Sequence, residues 1–196
     1  MAHSGSMERI VVIVGHPRQN TLCEALAAAY AVGARSAQHE VKIFPLGQMS
    51  FDPILHSGFE AVQPLEPDLQ AAHDAILQAT LLVFVFPLWL GDMPALMKGF
   101  FERVFQPDLA EPSRKGKYPR LLEGKRARIL LTMGMPAFVF RWYFRAHALK
   151  LLERNILGFL GIAKVRSTLF GNVMGAGEAG RTRWLQKAAA LGRRAA

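Results

Sequence analysis

The sequence contains a single cysteine, Cys23, and has no long apolar run. One cysteine excludes an intrachain disulfide, and such sparse use is typical of proteins from the reducing cytosol. The longest uncharged run, Ala75–Gly91, has 17 residues and is interrupted by Gln78, Thr80 and Pro87. A transmembrane helix needs about 20 apolar residues. We therefore predict no transmembrane segment and a cytoplasmic location.

Other patterns that would indicate a function are also missing. The chain has no zinc-ligand spacing, no pair of catalytic carboxylates and no nucleophile-elbow motif, so we expect no metal site. Residues 175–180, GAGEAG, fit the glycine pattern of dinucleotide-binding folds, but only 16 residues follow them, too few for the helix and second strand of that unit. No signal peptide is visible, and residues 1–6 read as a leftover of expression cloning. The length suits one α/β domain over residues 7–196.

Charged residues are unevenly distributed along the chain. Residues 1–100 contain 5 Lys/Arg and 9 Asp/Glu, whereas residues 101–196 contain 19 and 6. The two halves therefore carry net charges of −4 and +13. A basic half can attract nucleic acid, an anionic membrane or a polyanionic small molecule such as a phosphorylated dinucleotide. The charges alternate with apolar residues at helical or strand spacing. The alternative is therefore a basic face that is simply exposed to solvent and binds no anion.

Apolar segments with β-strand character alternate with helical patterns along the chain. Strands are predicted at Arg9–Val14, His39–Leu46, Leu81–Phe86, Ala127–Met133 and Val165–Phe170. Helices are predicted at Thr21–Arg35, Asp68–Gln78, Pro94–Phe105, within Ala137–Gly161 after an aromatic loop, and from Gly180 onward. Long loops are predicted at Gly47–Pro67 and Gln106–Gly124. The alternation predicts a doubly wound α/β fold with a parallel sheet and right-handed crossovers.

Two of the predicted loops follow strands directly and precede helices. Such loops lie at the carboxyl edge of an open α/β sheet, where ligands bind. After the first strand, Asn20 or Thr21 would cap the helix, and the free N–H groups of its first turn would form an anion site. Plain helix capping is the alternative. After the third strand, Trp89 lies in the loop LWLGD, either facing a ligand or buried under a neighbouring loop.

Three segments together resemble the flavodoxin-like NAD(P)H dehydrogenases, also called quinone reductases. They are VVIVGHPRQNTLCEAL (11–26), PLWLGDMPALMKGFFERVF (87–105) and LLTMGMPAFVFRWYF (130–144). The resemblance implies a flavodoxin-like, doubly wound, five-stranded parallel sheet of order 2-1-3-4-5 that binds FMN, with FAD as the alternative. It also implies transfer of a hydride from NAD(P)H through the bound flavin to a quinone or similar acceptor. A nucleic-acid partner is not expected.

The resemblance further implies which residues contact the flavin. The turn around the flavin phosphate would comprise His16, Asn20, Thr21, Leu22 and Cys23. Cys23 is expected to pack rather than to act as a redox thiol. The isoalloxazine edge would lie along Pro87, Leu88, Trp89, Leu90 and Gly91, and backbone N–H groups of this segment can bond flavin N5 and O4. Backbone donors of Thr132, Met133 and Gly134 would reach the pyrimidine side.

The third segment also carries the candidate catalytic residues. In the family a Tyr and a His of this loop assist hydride transfer, and Tyr143 and His147 are the candidates here. Their spacing from Thr132 does not match the family cleanly, and the alternative is an interface aromatic and a histidine on a helix surface. The segments FFERVF and FVFRWYF contain more large apolar side chains than one domain needs to bury, which predicts a homodimer.

Two other functions remain open at this point. Some proteins that resemble this chain are ancillary regulatory subunits of potassium-efflux systems, and a basic half would suit such docking. A flavodoxin-type electron carrier is the other alternative, although such carriers are usually acidic and this chain has a pI near 10.2. Turnover of NADPH with a soluble quinone would separate an enzyme from both.

Overall fold

A parallel sheet forms the centre of the protein, as a computed structural model that describes residues 7–106 and 120–195 shows. Its strands are β1 (Arg9–Val14), β2 (Glu40–Pro45), β3 (Leu81–Pro87), β4 (Arg126–Thr132) and β5 (Lys164–Phe170). The helices are α1 (Leu22–Ser36), α2 (Pro67–Gln78), α3 (Ala95–Val104), α4 (Ala137–Trp142), α5 (His147–Lys150) and α6 (Gly177–Arg193). The strand order is β2-β1-β3-β4-β5 with parallel neighbours, so the predicted fold class is confirmed.

Each face of the sheet is covered by its own group of helices. Ile10, Val12 and Val14 of β1 pack in a core with residues of α1 and α6. Val11 and Ile13 of the same strand pack in a second core with residues of α2 and α3 and of the segment after β4. Strands buried on both faces are apolar throughout, which explains why β3 shows no alternation in sequence.

The helices α1 and α6 approach each other closely at two glycines. A Cβ atom on Gly33 would overlap the carbonyl oxygen of Ala189, and one on Gly192 would overlap that of Tyr30. The two helix backbones are therefore in direct contact, and this contact covers the sheet face opposite α2 and α3.

The segment after β4 differs from its prediction. The aromatic run FVFRWYF was expected to be a loop, yet most of it forms α4, which follows Pro136 and buries Phe140. The helix expected after it is interrupted, because Arg145 and Ala146 adopt φ values of 50° and 51°. The chain then continues through α5 into a π-helical turn at residues 151–157.

Smaller differences concern element ends and the described range. The last helix begins at Gly177 rather than Gly180, and β2 ends at Pro45 because residues 46–48 form a 3₁₀ turn. The predicted basic loop falls largely on residues 107–119, which lie outside the described residues. Among the helices that are described, none has both the length and the apolar content needed to cross a bilayer.

Candidate functional site

A cleft of about 490 Å³ opens at the carboxyl edge of the sheet, between the loops that follow β1, β3 and β4. Its volume lies within the range of about 300–1,000 Å³ that is usual for ligand sites. Predicted cofactor residues that line it are His16, Asn20, Thr21, Leu22, Cys23, Pro87, Leu88, Trp89, Thr132, Met133 and Gly134. The cleft is also lined by Arg18, Val173, Met174 and Arg181, which were not predicted. The predicted residues Leu90 and Gly91 do not line it.

The first turn of α1 forms one end of this cleft. The Thr21 hydroxyl accepts a hydrogen bond from Glu24 N (3.4 Å), and the Glu24 carboxylate accepts one from Thr21 N (3.3 Å). This reciprocal capping box confirms that Thr21 caps the helix. The N–H groups of Leu22 and Cys23 belong to the first turn, which has no preceding carbonyls to bond within the helix. They are the backbone donors available to an anion here.

The charges around this turn favour an anion, although one acidic group opposes it. Arg18 and Arg181 both border the cleft, whereas the Glu24 carboxylate lies in the first turn and accepts a further bond from Gln48 Nε2 (2.8 Å). Arg18 lies in the loop after β1, beside the predicted phosphate turn, so the sequence alone could have identified it as a phosphate-binding candidate. Arg181 comes from α6, and nothing in the local sequence connects it with that turn.

His16 and Trp89 form one wall of the cleft. Their rings meet edge to face, with centroids 5.2 Å apart and an interplanar angle of 75°. Arg18 N donates to His16 Nδ1 (3.0 Å), so the proton of a neutral ring is on Nε2. Burial lowers the pKa of His16, and the charge of Arg18 acts in the same direction. A neutral imidazole at pH 7 follows. Trp89 is 45% exposed, so it is not buried under a neighbouring loop.

A tight turn after β3 uses the backbone donors that were expected to bond a flavin. Trp89 N donates to Asp92 O and Asp92 N to Trp89 O, both at 2.9 Å. Leu90 and Gly91 between them have φ values of 48° and 85°, the signs found in a type I′ turn. Leu88 N donates to Thr132 O (2.7 Å). The Leu88 and Trp89 N–H groups are therefore bonded within the protein, and contact between this segment and flavin N5 and O4 stays a prediction.

The end of β4 shows a similar bond within the protein. Met133 N donates to Phe170 O (2.9 Å), so this N–H group could bond a flavin only if that bond were shared or broken. Gly134 lines the cleft, and a Cβ atom built on it would meet no atom within 4 Å. The Cys23 thiol lies 3.4 Å from Thr132 Oγ1, and burial raises its pKa to about 11. A thiol of that pKa packs and does not act as a nucleophile at neutral pH.

The two candidate catalytic residues lie outside the cleft of their own chain. Tyr143 is 79% exposed and packs edge to face on Phe144, with ring centroids 4.9 Å apart. His147 begins α5 and is also exposed. The structure thus brings together the three cofactor segments but does not bring this pair to them.

An open α/β sheet of this strand order, with a ligand cleft at its carboxyl edge, defines a flavodoxin-like protein. The chain belongs to the Flavodoxin_2 family, described by its flavodoxin-like fold, whose model matches residues 8–192. The predicted family resemblance is therefore confirmed.

Individual relatives carry related names. The chain is 29% identical over 169 residues to an uncharacterized NAD(P)H oxidoreductase of Haemophilus influenzae, covering 83% of each chain. Its fold is similar to that of an NAD(P)H:quinone oxidoreductase from Methanothermobacter marburgensis, with a TM-score of 0.77 and 23% identity over 97% and 98% of the two chains. It is also similar to an FMN-dependent NADH-azoreductase from Bacillus anthracis solved with FMN, with a TM-score of 0.71 and 16% identity over 97% and 100%.

Proposed function

We propose that the protein is a flavin-dependent oxidoreductase that uses NAD(P)H to reduce a quinone or a similar acceptor. The observation that carries this proposal is the cleft at the carboxyl edge of the sheet, built from the same three segments that carry the family resemblance. A bound flavin would supply the two-electron redox chemistry that the side chains of the cleft lack. The names of the relatives, NAD(P)H oxidoreductase and NAD(P)H:quinone oxidoreductase, support this class of reaction.

The donor set of the cleft fits FMN. The N–H groups of Leu22 and Cys23 and the guanidinium groups of Arg18 and Arg181 offer hydrogen-bond donors and positive charge for one phosphate group. Two arginines also offset the Glu24 carboxylate in the same turn. The FMN in the related azoreductase structure supports FMN over FAD.

The rest of the cleft suits a planar ring system. Apolar side chains that line the cleft belong to Leu88, Trp89, Met133, Val173 and Met174. Met174 is 89% exposed and Trp89 is 45% exposed, so both can contact a second molecule that enters from solvent. The nicotinamide and the acceptor would use this open side in turn. Gly134 lines the cleft and would supply a backbone donor at the pyrimidine side.

We also propose that the protein is a homodimer in the cytosol. Large apolar side chains are exposed on and after α4, where Phe138, Trp142 and Tyr143 are 66%, 79% and 79% exposed. A cluster of this kind marks an association surface. Tyr143 and His147 would take part in catalysis only if the partner subunit brings them to a cleft, because they do not line the one in their own chain.

An absorbance spectrum of the purified protein, followed by mass analysis of the released cofactor, tests the central proposal. We expect a flavin spectrum, release of FMN, and oxidation of NADPH by a soluble quinone. Arg18→Gln and Arg181→Gln should each weaken FMN binding about tenfold, the effect of losing one charged hydrogen bond. Arg183→Gln, which changes an exposed arginine of α6 that does not line the cleft, is the matched control.

The same measurements separate the alternatives. Flavin binding without NADPH turnover would favour an electron carrier. Turnover that appears only on adding a second protein would favour a regulatory subunit. Release of FAD would keep the activity but correct the cofactor, and absence of any flavin binding would contradict the proposal.

A further inference from the structure

A group of basic side chains surrounds a second cavity, at the amino edge of the sheet and remote from the flavin cleft. This cavity has a volume of about 260 Å³ and is bordered by Arg126, Lys164, Arg166 and Arg194, which we call the amino-edge cluster. Arg126 of β4 pairs in register with Lys164 of β5, and Arg128 pairs with Arg166. Register partners in a parallel sheet point to the same face, so these cations lie side by side.

The protein compensates only part of this charge. Arg126 forms an ion pair with Glu8 (2.7 Å) and donates to Ala195 O (3.2 Å) just after α6. Across residues 7–106 and 120–195, no carboxylate forms an ion pair with Lys164, Arg166 or Arg194. A helix C-terminus attracts cations, but its effective charge is only about half a unit. The end of α6 therefore explains the place of Arg126, and among the described residues no carboxylate compensates the other three cations.

A buried arginine beneath the cluster increases this excess of positive charge. Arg128 is 5% exposed, donates to Thr168 Oγ1 (3.1 Å), and has a buried Nε without a hydrogen-bond partner. Burial lowers the pKa of Arg128, and the positive charges of Arg166 and Arg194 act in the same direction. An anion bound beside these groups would relieve repulsion that the described residues do not relieve themselves.

We propose that the amino-edge cluster binds a small phosphoanion in this cavity. Guanidinium groups bind phosphate oxygens through paired N–H donors, and the cluster supplies three of them together with one ammonium group. The cavity is smaller than the roughly 300–1,000 Å³ of ordinary cofactor sites, so it suits a phosphate or pyrophosphate group and not a whole dinucleotide. The group would be free in solution or would be the phosphate end of a nucleotide. The proposal does not depend on flavin binding.

Calorimetric titration of the full chain with pyrophosphate, at constant ionic strength in chloride, tests the proposal. The double variant Lys164→Gln, Arg166→Gln removes two exposed cations of β5 and should weaken binding at least about tenfold. The double variant Arg18→Gln, Arg181→Gln removes the two arginines proposed for the FMN phosphate, so it should retain the binding event that the β5 variant loses. Arg183→Gln controls for the loss of one positive charge from the surface. Circular dichroism checks that each variant is folded.

The outcomes either support the site or overturn it. Loss of binding confined to the β5 variant supports it, and equal affinity for ADP would show that only the phosphates are recognised. Loss confined to the cleft variant, unchanged affinity in the β5 variant, or no binding by the wild type would overturn it.

Discussion

Thr21 contributes both to the stability of α1 and to the proposed phosphate site at the first turn of that helix. Its hydroxyl accepts a bond from Glu24 N, and its O–H remains able to donate to a phosphate. We expect Thr21→Ala to lower the free energy of unfolding by about 1 kcal/mol through loss of the cap. FMN binding should weaken about tenfold through loss of the donor. Urea unfolding and calorimetric titration measure the two effects.

Thr21→Ser is the matched control, because serine keeps both the cap and the donor. It should leave both quantities close to those of the wild type. If Thr21→Ala lowers stability but leaves the FMN affinity unchanged, the phosphate binds elsewhere and Thr21 is only a cap.

Glu66 makes the stability of the protein depend on acid pH. Its carboxylate accepts two bonds from Arg103, at 2.9 and 3.1 Å, and one from Asp52 N at 3.0 Å, and the Arg103 side chain is fully buried. Burial alone would raise the pKa of Glu66, but the hydrogen bonds from Arg103 and Asp52 hold it below its ordinary value. Below about pH 4.3 the unfolded chain therefore binds more protons than the folded one. Stability should fall as the pH drops below this value.

Urea unfolding between pH 6 and pH 3 measures this dependence. Glu66→Gln should be less stable at pH 6 and should lose less stability on acidification than the wild type. Glu60→Gln, at an exposed glutamate, should follow the wild-type curve. Identical curves for all three proteins would contradict the role of the Glu66–Arg103 pair.

Residue types in the sequence predicted part of the lining of the cleft. They did not predict which backbone N–H groups are already bonded within the protein or that Arg181 lies there. The loop after β1 could be predicted to line the site, because it follows a buried strand and precedes a capped helix. The bonding of Met133 N to Phe170 O depends on how β4 and the end of β5 align, and a single sequence does not contain that register. Arg181 was missed for a similar reason, since only the packing of α6 on α1 brings it to the cleft.

At the scale of the element, Gly33 and Gly192 allow the backbones of α1 and α6 to come into direct contact. Alanine has a better helix propensity than glycine by about 1 kcal/mol. Gly33→Ala should nevertheless lower the free energy of unfolding by roughly 1–3 kcal/mol, because a Cβ at Gly33 overlaps the backbone of α6. Denaturant unfolding measures the change.

Val32→Ala is the control for this substitution. Val32 is the preceding residue of α1 and is 65% exposed, so shortening it should change stability little. A Gly33→Ala protein as stable as the wild type would show that the two helices lie farther apart than described.

Elements with a plain pattern were predictable, and the segment after β4 was not. β1, β3 and β4 follow from apolar runs and β2 from alternation. The helices α1, α2 and α3 follow from helical spacing, and a proline stands at the start of α2 and of α3. The break after α4 depends on left-handed backbone at Arg145 and Ala146. These residue types rarely adopt that conformation, so the sequence gives no signal for it.

At the scale of the whole molecule, the exposed aromatic surface predicts an oligomeric state. We expect light scattering at micromolar concentration to give the mass of a dimer, because Phe138, Trp142 and Tyr143 leave a large apolar area in water. Trp142→Glu should shift the mass towards that of a monomer, since it would place a charge in the interface. Ile54→Glu, at a 58% exposed position on another loop, should leave the dimer intact. A monomeric wild type would rule out the interface.

The positive charge of the chain also has a consequence for binding rates. The second half of the sequence carries a net charge of +13 and supplies β4, β5 and α6, with Arg181 of α6 at the cleft. Positive charge attracts an approaching anion before contact, so the association rate of a phosphorylated substrate should fall as ionic strength rises.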